Sequence, residues 1–119
     1  MQKSKSFKEL VVWQRAHQLV LSVYGLTKVF PREELFCLTQ QYRRAAVSIA
    51  ANIVEGYRKR TKPEKIRFLN IAQASLEECK YYALLSNDLG YADTIILQNS
   101  SEETSKLLDA YIKAIEASS

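Results

Sequence analysis

The chain has 119 residues with only three Gly and two Pro, a composition that suits one helical domain with short connections. Its net charge of +4 is uneven: residues 1–70 carry 14 Lys and Arg against 5 Asp and Glu, whereas residues 71–119 carry 3 against 8. This asymmetry predicts a basic surface that meets an anion or a neighbouring subunit's acidic surface, and an unevenly charged solvated face is the alternative.

Three features argue against a secreted or membrane protein. The N-terminal residues Met1–Ser6 are polar with no apolar core behind them, so we expect no signal peptide. No run approaches the ~18 apolar residues of a membrane span. Cys37 and Cys79 form no disulfide framework and fit reduced thiols. We therefore expect a cytoplasmic protein with no membrane partner.

Periodic apolar positions predict four helices, at about residues 7–28, 39–58, 62–89 and 93–117 of a single domain 1–119. In the first helix Ser6 is the expected N-cap, with Glu9 as its capping-box partner, and Pro31 ends the segment. Two apolar stripes flank one polar strip, as in a helix with two neighbours. The stripes are Val12, Ala16, Leu19, Val23 and Leu26, and Leu10, Trp13, His17, Val20 and Tyr24.

The second helix is apolar nearly all round between Ala45 and Val54. One face repeats at helical spacing through Tyr42, Ala45, Ala46, Ile49 and Ile53, and the opposite side carries Val47, Ala50, Ala51 and Val54. Such a helix is buried on most sides, either by three other helices or by a neighbouring subunit. Thr39 is its expected N-cap, and Gly56 fits a stop near its end, with one further turn of helix as the alternative.

The third helix has the clearest boundaries. Thr61 and Glu64 form a capping box around Pro63, and Gly90 supplies the C-terminal stop. The fourth helix is expected to begin at the N-cap Asp93, and a break near residues 99–101 stays open.

Several stretches together closely resemble a known family. They are LVVWQRA (10–16), FPREE (30–34), LTQQYRRAAVSIAANIVEG (38–56), RFLNIAQASLEE (67–78) and LGY (89–91). The resemblance is to the four helix bundle proteins encoded in intervening sequences of bacterial 23S ribosomal RNA genes, and accessory proteins of diversity-generating retroelements look like relatives. It covers about residues 7–91, with Ala50 where many relatives have Pro and Ala74 where many have Gly. It implies an all-α, up-down antiparallel four-helix bundle that assembles into a ring-like homo-oligomer, a pentamer, and it implies no settled activity.

The residues offer little for catalysis. The single histidine, His17, is placed on a core-facing stripe, where a core histidine with one hydrogen bond is the simpler interpretation than a general base. The chain has no Glu-x-x-His pair for a di-metal site and no Gly-rich phosphate loop. We therefore expect no enzyme activity, no metal and no cofactor.

Two arginines open the second helix, and their role stays ambiguous. Arg43 and Arg44 are candidates for nucleic-acid contact, but one of them could be structural. The carboxylates Glu55, Glu77 and Glu78 are expected to neutralise them or Asn52 within the bundle or across a subunit boundary, since a buried charge needs a partner.

The strongest functional candidate is the run between residues 57 and 67. It holds six basic residues and one acid at a helix–helix turn, where several side chains can project together: Arg58, Lys59, Arg60, Lys62, Lys65 and Arg67. Tyr57 beside them is a candidate for stacking on a base. A solvated basic turn is the simpler alternative.

Two functions therefore remain. The first is a non-enzymatic homo-oligomeric nucleic-acid-binding or ribonucleoprotein accessory protein, which contacts the phosphates of RNA or DNA through the basic turn. The second is an oligomeric protein–protein interaction scaffold with no nucleic-acid role. A ring would repeat the turn around an axis and strengthen weak sites through multivalency.

Overall fold

The computed structural model describes residues 5–118 and shows an all-helical chain. Four α-helices follow one another, α1 (Val11–Thr27), α2 (Leu38–Arg58), α3 (Lys62–Asp88) and α4 (Ile95–Ala117), with 3-10 turns at Phe7–Glu9 and Arg32–Glu34. The described residues contain no strand, and they form a body of 49 × 23 × 21 Å. The expected all-α four-helix bundle is confirmed. Most of the polar N-terminus used to argue against a signal peptide, residues 1–4, lies outside the described residues, as does residue 119.

The helices run alternately up and down. Arg43 near the start of α2 contacts Thr27 at the end of α1, and Gly56 near the end of α2 lies against Lys65 near the start of α3. Each helix packs on two neighbours, in the order α1, α2, α3, α4 and back to α1. Within residues 5–118, α2 makes no helix contact with α4, which lies diagonally opposite. The outer side of α2 is therefore not covered by a helix of the same chain.

The first helix begins later than the sequence indicates. Ser6 caps only the 3-10 turn, where its hydroxyl accepts a hydrogen bond from the Lys8 amide at 3.1 Å. Leu10 then has extended backbone angles, and α1 starts at Val11. The expected reciprocal bond is absent among the described residues, since the Glu9 carboxylate accepts instead from the Lys5 amide.

The second helix is not capped by Thr39, so that expectation is wrong. Its cap comes from the connection that precedes it. Thr39 lies inside the first turn and is buried, and α2 begins at Leu38 without a side-chain cap from the preceding residue. Glu34 in the connection takes that role, because its carboxylate accepts from the Leu38 amide at 3.4 Å. The same carboxylate accepts from the Tyr91 hydroxyl at 2.7 Å, which ties α2 to the turn after α3.

Gly56 serves close packing rather than helix termination. The helix continues past it to Arg58, and Gly56 is buried. A Cβ at this position would stand 3.1 Å from the Leu69 Cγ and 3.2 Å from the Lys65 carbonyl oxygen. The missing side chain lets α2 and α3 approach closely, and the expected core face of α2 is buried along its whole length at Tyr42, Ala45, Ala46, Ile49 and Ile53.

The later boundaries follow the sequence closely. The Thr61 hydroxyl accepts from the Glu64 amide at 3.3 Å, and Gly90 has a φ of +76° directly after α3. Asp93, two residues before the helix, accepts from the Ile95 amide, but the cap position itself is Thr94. No break occurs in α4, because Ser101 donates its hydroxyl proton to the carbonyl of the preceding turn and fits the core.

Candidate nucleic-acid interface

The basic turn is held by its own helix ends. Arg58 is the last residue of α2, Lys59 is extended, and Thr61 caps α3. The Lys65 ammonium donates to the carbonyl oxygens of Gly56 and Tyr57 at 3.3 and 2.9 Å. Since these carbonyls belong to the last turn of α2, Lys65 stabilises the negative end of that helix. It is therefore part of the scaffold of the turn.

Tyr57 is packed at the same place. Its side chain is half-buried, and the Lys65 ammonium lies 5.9 Å from its ring centroid. Burial, and secondly the nearby Tyr57 hydroxyl, raise the pKa of Tyr111 on α4. The ring of Tyr57 thus faces the bundle end that α2, α3 and α4 share, rather than open solvent alone.

The other cations of the turn surround a single aromatic ring or point outwards. Lys59 and Arg67 lie 5.1 and 5.2 Å from the Phe68 ring centroid, and the Lys62 ammonium donates to the Glu116 carbonyl oxygen at 3.5 Å. Arg58, Arg60 and Arg67 are exposed. Among residues 5–118, no ion pair joins a carboxylate to any of five cations, namely Arg58, Lys59, Arg60, Lys62 and Arg67.

The charge of this bundle end extends beyond the turn. The antiparallel order brings the start of α1, the end of α2, the start of α3 and the end of α4 together. Residues 5–14, 55–68 and 114–118 carry eight Lys and Arg against four Asp and Glu. At the opposite end, residues 25–44 and 79–101 carry five against four. The cationic surface is therefore concentrated at one end.

Arg43 and Arg44 lie far from the basic turn and differ from each other. The Arg43 guanidinium donates to the Thr27 hydroxyl at 2.8 Å and to the Tyr24 carbonyl at 3.5 Å, and it covers the Tyr24 ring at 4.7 Å. It thus closes the C-terminal end of α1, a structural role. Arg44 is exposed. Fifteen residues of helix separate Arg43 from Arg58, which is about 22 Å, so the structure does not bring the nine candidates into one site.

The expected carboxylate partners of these arginines lie elsewhere. Glu77 pairs with Lys80 at 2.8 Å, and Glu78 accepts from the Tyr82 hydroxyl at 3.3 Å. Within the described residues neither Arg43 nor Arg44 forms an ion pair. The expectation of internal neutralisation is therefore wrong, because hydroxyl and carbonyl acceptors satisfy Arg43 and solvent reaches Arg44.

An open groove runs beside the two arginines. Its volume is about 700 Å³, and its lining is formed by the end of α1, the connection before α2 and the outer side of α2. Apolar side chains with unusually high exposure stand along it, among them Phe36 at 80% and Val47 at 42%. Large exposed apolar patches mark interaction sites. We expected α2 to be buried on most sides. Within a single chain this is wrong for its outer side, which lines the groove and is exposed.

His17 is exposed, so its placement among the core residues is wrong. Its ring stacks on Trp13 at 5.0 Å between centroids and 6° between planes, and Phe7 meets Trp13 edge-on at 5.0 Å. Trp13 and His17 are four residues apart, so their rings lie on one side of α1. That side is at the margin of the contact between α1 and α2 rather than in the core. We call Phe7, Trp13 and His17 the aromatic cluster.

Comparison with known proteins places the chain in a family. A family model described as 23S rRNA-intervening sequence protein matches residues 8–113. The chain belongs to the 23S rRNA-intervening sequence protein family. A crystal structure of a protein of unknown function from the S23 ribosomal protein family of Bacteroides thetaiotaomicron VPI-5482 has a similar fold, with a TM-score of 0.79 and 29% identity over 87% of this chain and 96% of that chain. No curated protein matches the chain.

Neither a metal site nor a membrane span is found in the described part of this 23S rRNA-intervening sequence family member. Across residues 5–118, no group of three or more His, Cys, Asp or Glu side chains is arranged to hold a metal ion. The helices of that same stretch include none that is long and apolar enough to cross a membrane.

Proposed function

We propose that this 23S rRNA-intervening sequence family member is a non-enzymatic nucleic-acid-binding protein that contacts phosphates through its basic turn. The observation that carries the proposal is a group of five cations that have no carboxylate partner within residues 5–118, namely Arg58, Lys59, Arg60, Lys62 and Arg67. A cation that is not already paired with a carboxylate can bind a phosphate without first breaking an ion pair, so these side chains are available to a polyanion. The family's description as 23S rRNA-intervening sequence proteins supports RNA as the ligand.

The contact is expected to be insensitive to sequence. Arginine and lysine at a turn reach phosphate oxygens, which are the same in every nucleotide, whereas sequence readout requires side chains fitted to base edges. Lys65 contributes indirectly, since it fixes the end of α2 through two carbonyl oxygens. Arg43 has a structural role, and Arg44 lies beyond the reach of the turn, so both are expected to matter less than Arg58 or Arg60.

The test replaces three exposed cations of the basic turn, in the variant Arg58→Gln, Arg60→Gln, Arg67→Gln. Its matched control replaces three exposed cations elsewhere, in the variant Lys28→Gln, Arg32→Gln, Lys106→Gln. Both lose three charges, so a difference between them reports position rather than net charge. Binding of RNA is measured by anisotropy over a range of salt concentrations. Equal loss in both variants would contradict the proposal.

We also propose that the protein assembles into a ring-like homo-oligomer of five subunits. Support comes from the exposed outer side of α2 and from the apolar groove beside it. A neighbouring subunit on this face would remove Val47 and Phe36 from water, and a ring would multiply weak phosphate contacts. Mass from light scattering tests the assembly, and a monomer mass at micromolar concentration would contradict it.

Two variants separate assembly from folding. Val47→Glu places a charge on the exposed side of α2, so the monomer should keep its helical content while the mass falls. Ile49→Glu, two residues away, buries a charge in the core and should unfold the chain, since Ile49 is 0% exposed. Retention of the wild-type mass by Val47→Glu would place the interface elsewhere.

The same groove favours the second candidate function, a protein–protein interaction scaffold. Apolar side chains and two arginines around a groove suit a protein partner as well as a second copy. The salt experiment decides between the functions. A wild-type protein that binds neither RNA nor DNA at low salt would leave the scaffold as the remaining function.

A further inference from the structure

The aromatic cluster at the start of α1 has an arrangement that the core does not explain. Phe7 meets one side of Trp13 edge-on, and His17 lies parallel on its face. Phe7 and Trp13 are half-buried, whereas His17 is exposed. The result is a fixed stack of rings whose last member, His17, still presents surface to solvent.

The cluster lies beside the basic turn. Arg43 of α2 is level with residues Tyr24 and Thr27 of α1, and the two helices are antiparallel. Trp13 lies 11 to 14 residues before those two along α1, so it is level with positions 54–57 of α2. Arg58 is therefore within about one helical turn, or ~5 Å along the axis, of the level of Trp13. The 3-10 turn that carries Phe7 also contacts α2.

Arg58 and the cluster also share a side of the bundle. Arg58 continues the exposed stripe of α2 that includes Val47 and Ala51, both of which line the groove together with Tyr24 of α1. Arg58 itself lies about 10 Å along the axis beyond Ala51, outside the groove that a neighbouring subunit would cover. Tyr24 and His17 are seven residues apart and lie on one stripe of α1. The exposed ring of His17 and the Arg58 guanidinium, which has no carboxylate partner among residues 5–118, therefore lie on one side of the bundle. His17 is level with positions 50–53 of α2, about 8 to 12 Å along the axis from Arg58.

We propose that the aromatic cluster is a base-stacking platform, and that it makes the protein prefer single-stranded to duplex nucleic acid. This inference rests on the proposed function, because Arg58 and the turn supply the phosphate contacts. An unpaired base can stack on the open face of His17, whereas bases in a duplex are already stacked on each other. The occupant is a single strand, because the basic end suits a polyanion and the exposed ring of His17 suits an unpaired base.

The test removes the outer ring of the stack, which is exposed to solvent. His17→Ala should weaken binding of oligo(U) by about 5- to 150-fold and leave binding of a duplex of the same length unchanged. His17→Phe keeps a flat ring and should restore single-strand affinity. The matched control is Tyr81→Ala, which removes an exposed aromatic ring from α3, and it should bind both ligands like the wild type.

The chain carries one tryptophan, so its fluorescence reports directly on the cluster. Oligo(U) should change Trp13 emission, whereas the duplex should change it little. The inference is overturned if both ligands bind with normal salt dependence but His17→Ala behaves like Tyr81→Ala. It is also overturned if Trp13 emission changes with protein concentration but does not change on addition of oligo(U), because a second copy of the chain then covers the cluster. Failure of the wild type to bind either ligand overturns the proposed function as well.

Discussion

The two helical glycines should respond in opposite directions to the same substitution. A Cβ added at Gly25 on α1 would meet no atom within 4 Å, so Gly25→Ala gains only helix propensity, about 0.8–1 kcal/mol. Gly56→Ala gains the same propensity, but its methyl group would lie 3.1 Å from Leu69 and 3.2 Å from the Lys65 carbonyl oxygen. Leu69 is 0% exposed and the carbonyl belongs to α3, so neither can move away freely.

Overpacking of this kind costs about 1–3 kcal/mol, which cancels or exceeds the gain in propensity. We therefore expect Gly25→Ala to stabilise the protein and Gly56→Ala to leave it unchanged or destabilise it, with a difference of about 1–3 kcal/mol between them. Urea unfolding at one fixed protein concentration measures both values, since any assembly makes stability depend on concentration.

A double-mutant cycle identifies the cause. If the Leu69 side chain opposes the new methyl group, Gly56→Ala should be less harmful, or favourable, in a Leu69→Ala background than in the wild type. Equal stabilisation by Gly25→Ala and Gly56→Ala, with no coupling to Leu69, would refute the close approach of α2 and α3 at this point.

Two further predictions concern buried polar side chains. The Tyr42 hydroxyl is buried and has no hydrogen-bond partner among the described residues. Tyr42→Phe should therefore raise the free energy of unfolding by about 1 kcal/mol. The control Tyr82→Phe loses a hydrogen bond to Glu78 and should not raise the free energy of unfolding. Burial, and secondly the nearby Glu78 carboxylate, raise the pKa of the Cys79 thiol from 9.0 to about 12. The stability that Cys79 contributes is therefore intact below pH 9 and declines as the pH rises towards 12. At pH 8 a thiol reagent should label only the exposed Cys37 until the protein unfolds, and rapid labelling of both would contradict this burial.

Local signals in the sequence located most helix ends. Thr61, Pro63 and Gly90 mark helix ends through the properties of the residue itself, namely a capping hydroxyl, a fixed φ and the absence of a Cβ. In the structure Thr61 caps α3 and Gly90 adopts a positive φ, as expected. The start of α2 was predicted to within one residue, but its cap could not be found in this way. Its amide is capped by Glu34, which comes from the preceding connection and is itself held by Tyr91, far away in sequence.

The candidate site was only partly predictable for a similar reason. A run of basic residues is visible in any sequence, but which of them serve the fold depends on contacts between helices. Lys65 caps α2, and Arg43 caps α1, through carbonyl oxygens that no sequence pattern identifies. The exposure of His17 depends on how α1 is rotated about its axis against α2. The two apolar stripes on α1 do not fix that rotation to better than about one residue.

The salt dependence of RNA binding tests the central claim most directly. Each phosphate contact contributes about 0.7 to the slope of log affinity against log salt for a single strand and about 0.9 for a duplex. The variant Arg58→Gln, Arg60→Gln, Arg67→Gln should therefore flatten the slope by about 2 units for a single strand, and the control at Lys28, Arg32 and Lys106 should keep the wild-type slope. The same slope in both variants, or no binding by the wild type at low salt, would contradict the assignment of the basic turn as the phosphate-binding surface.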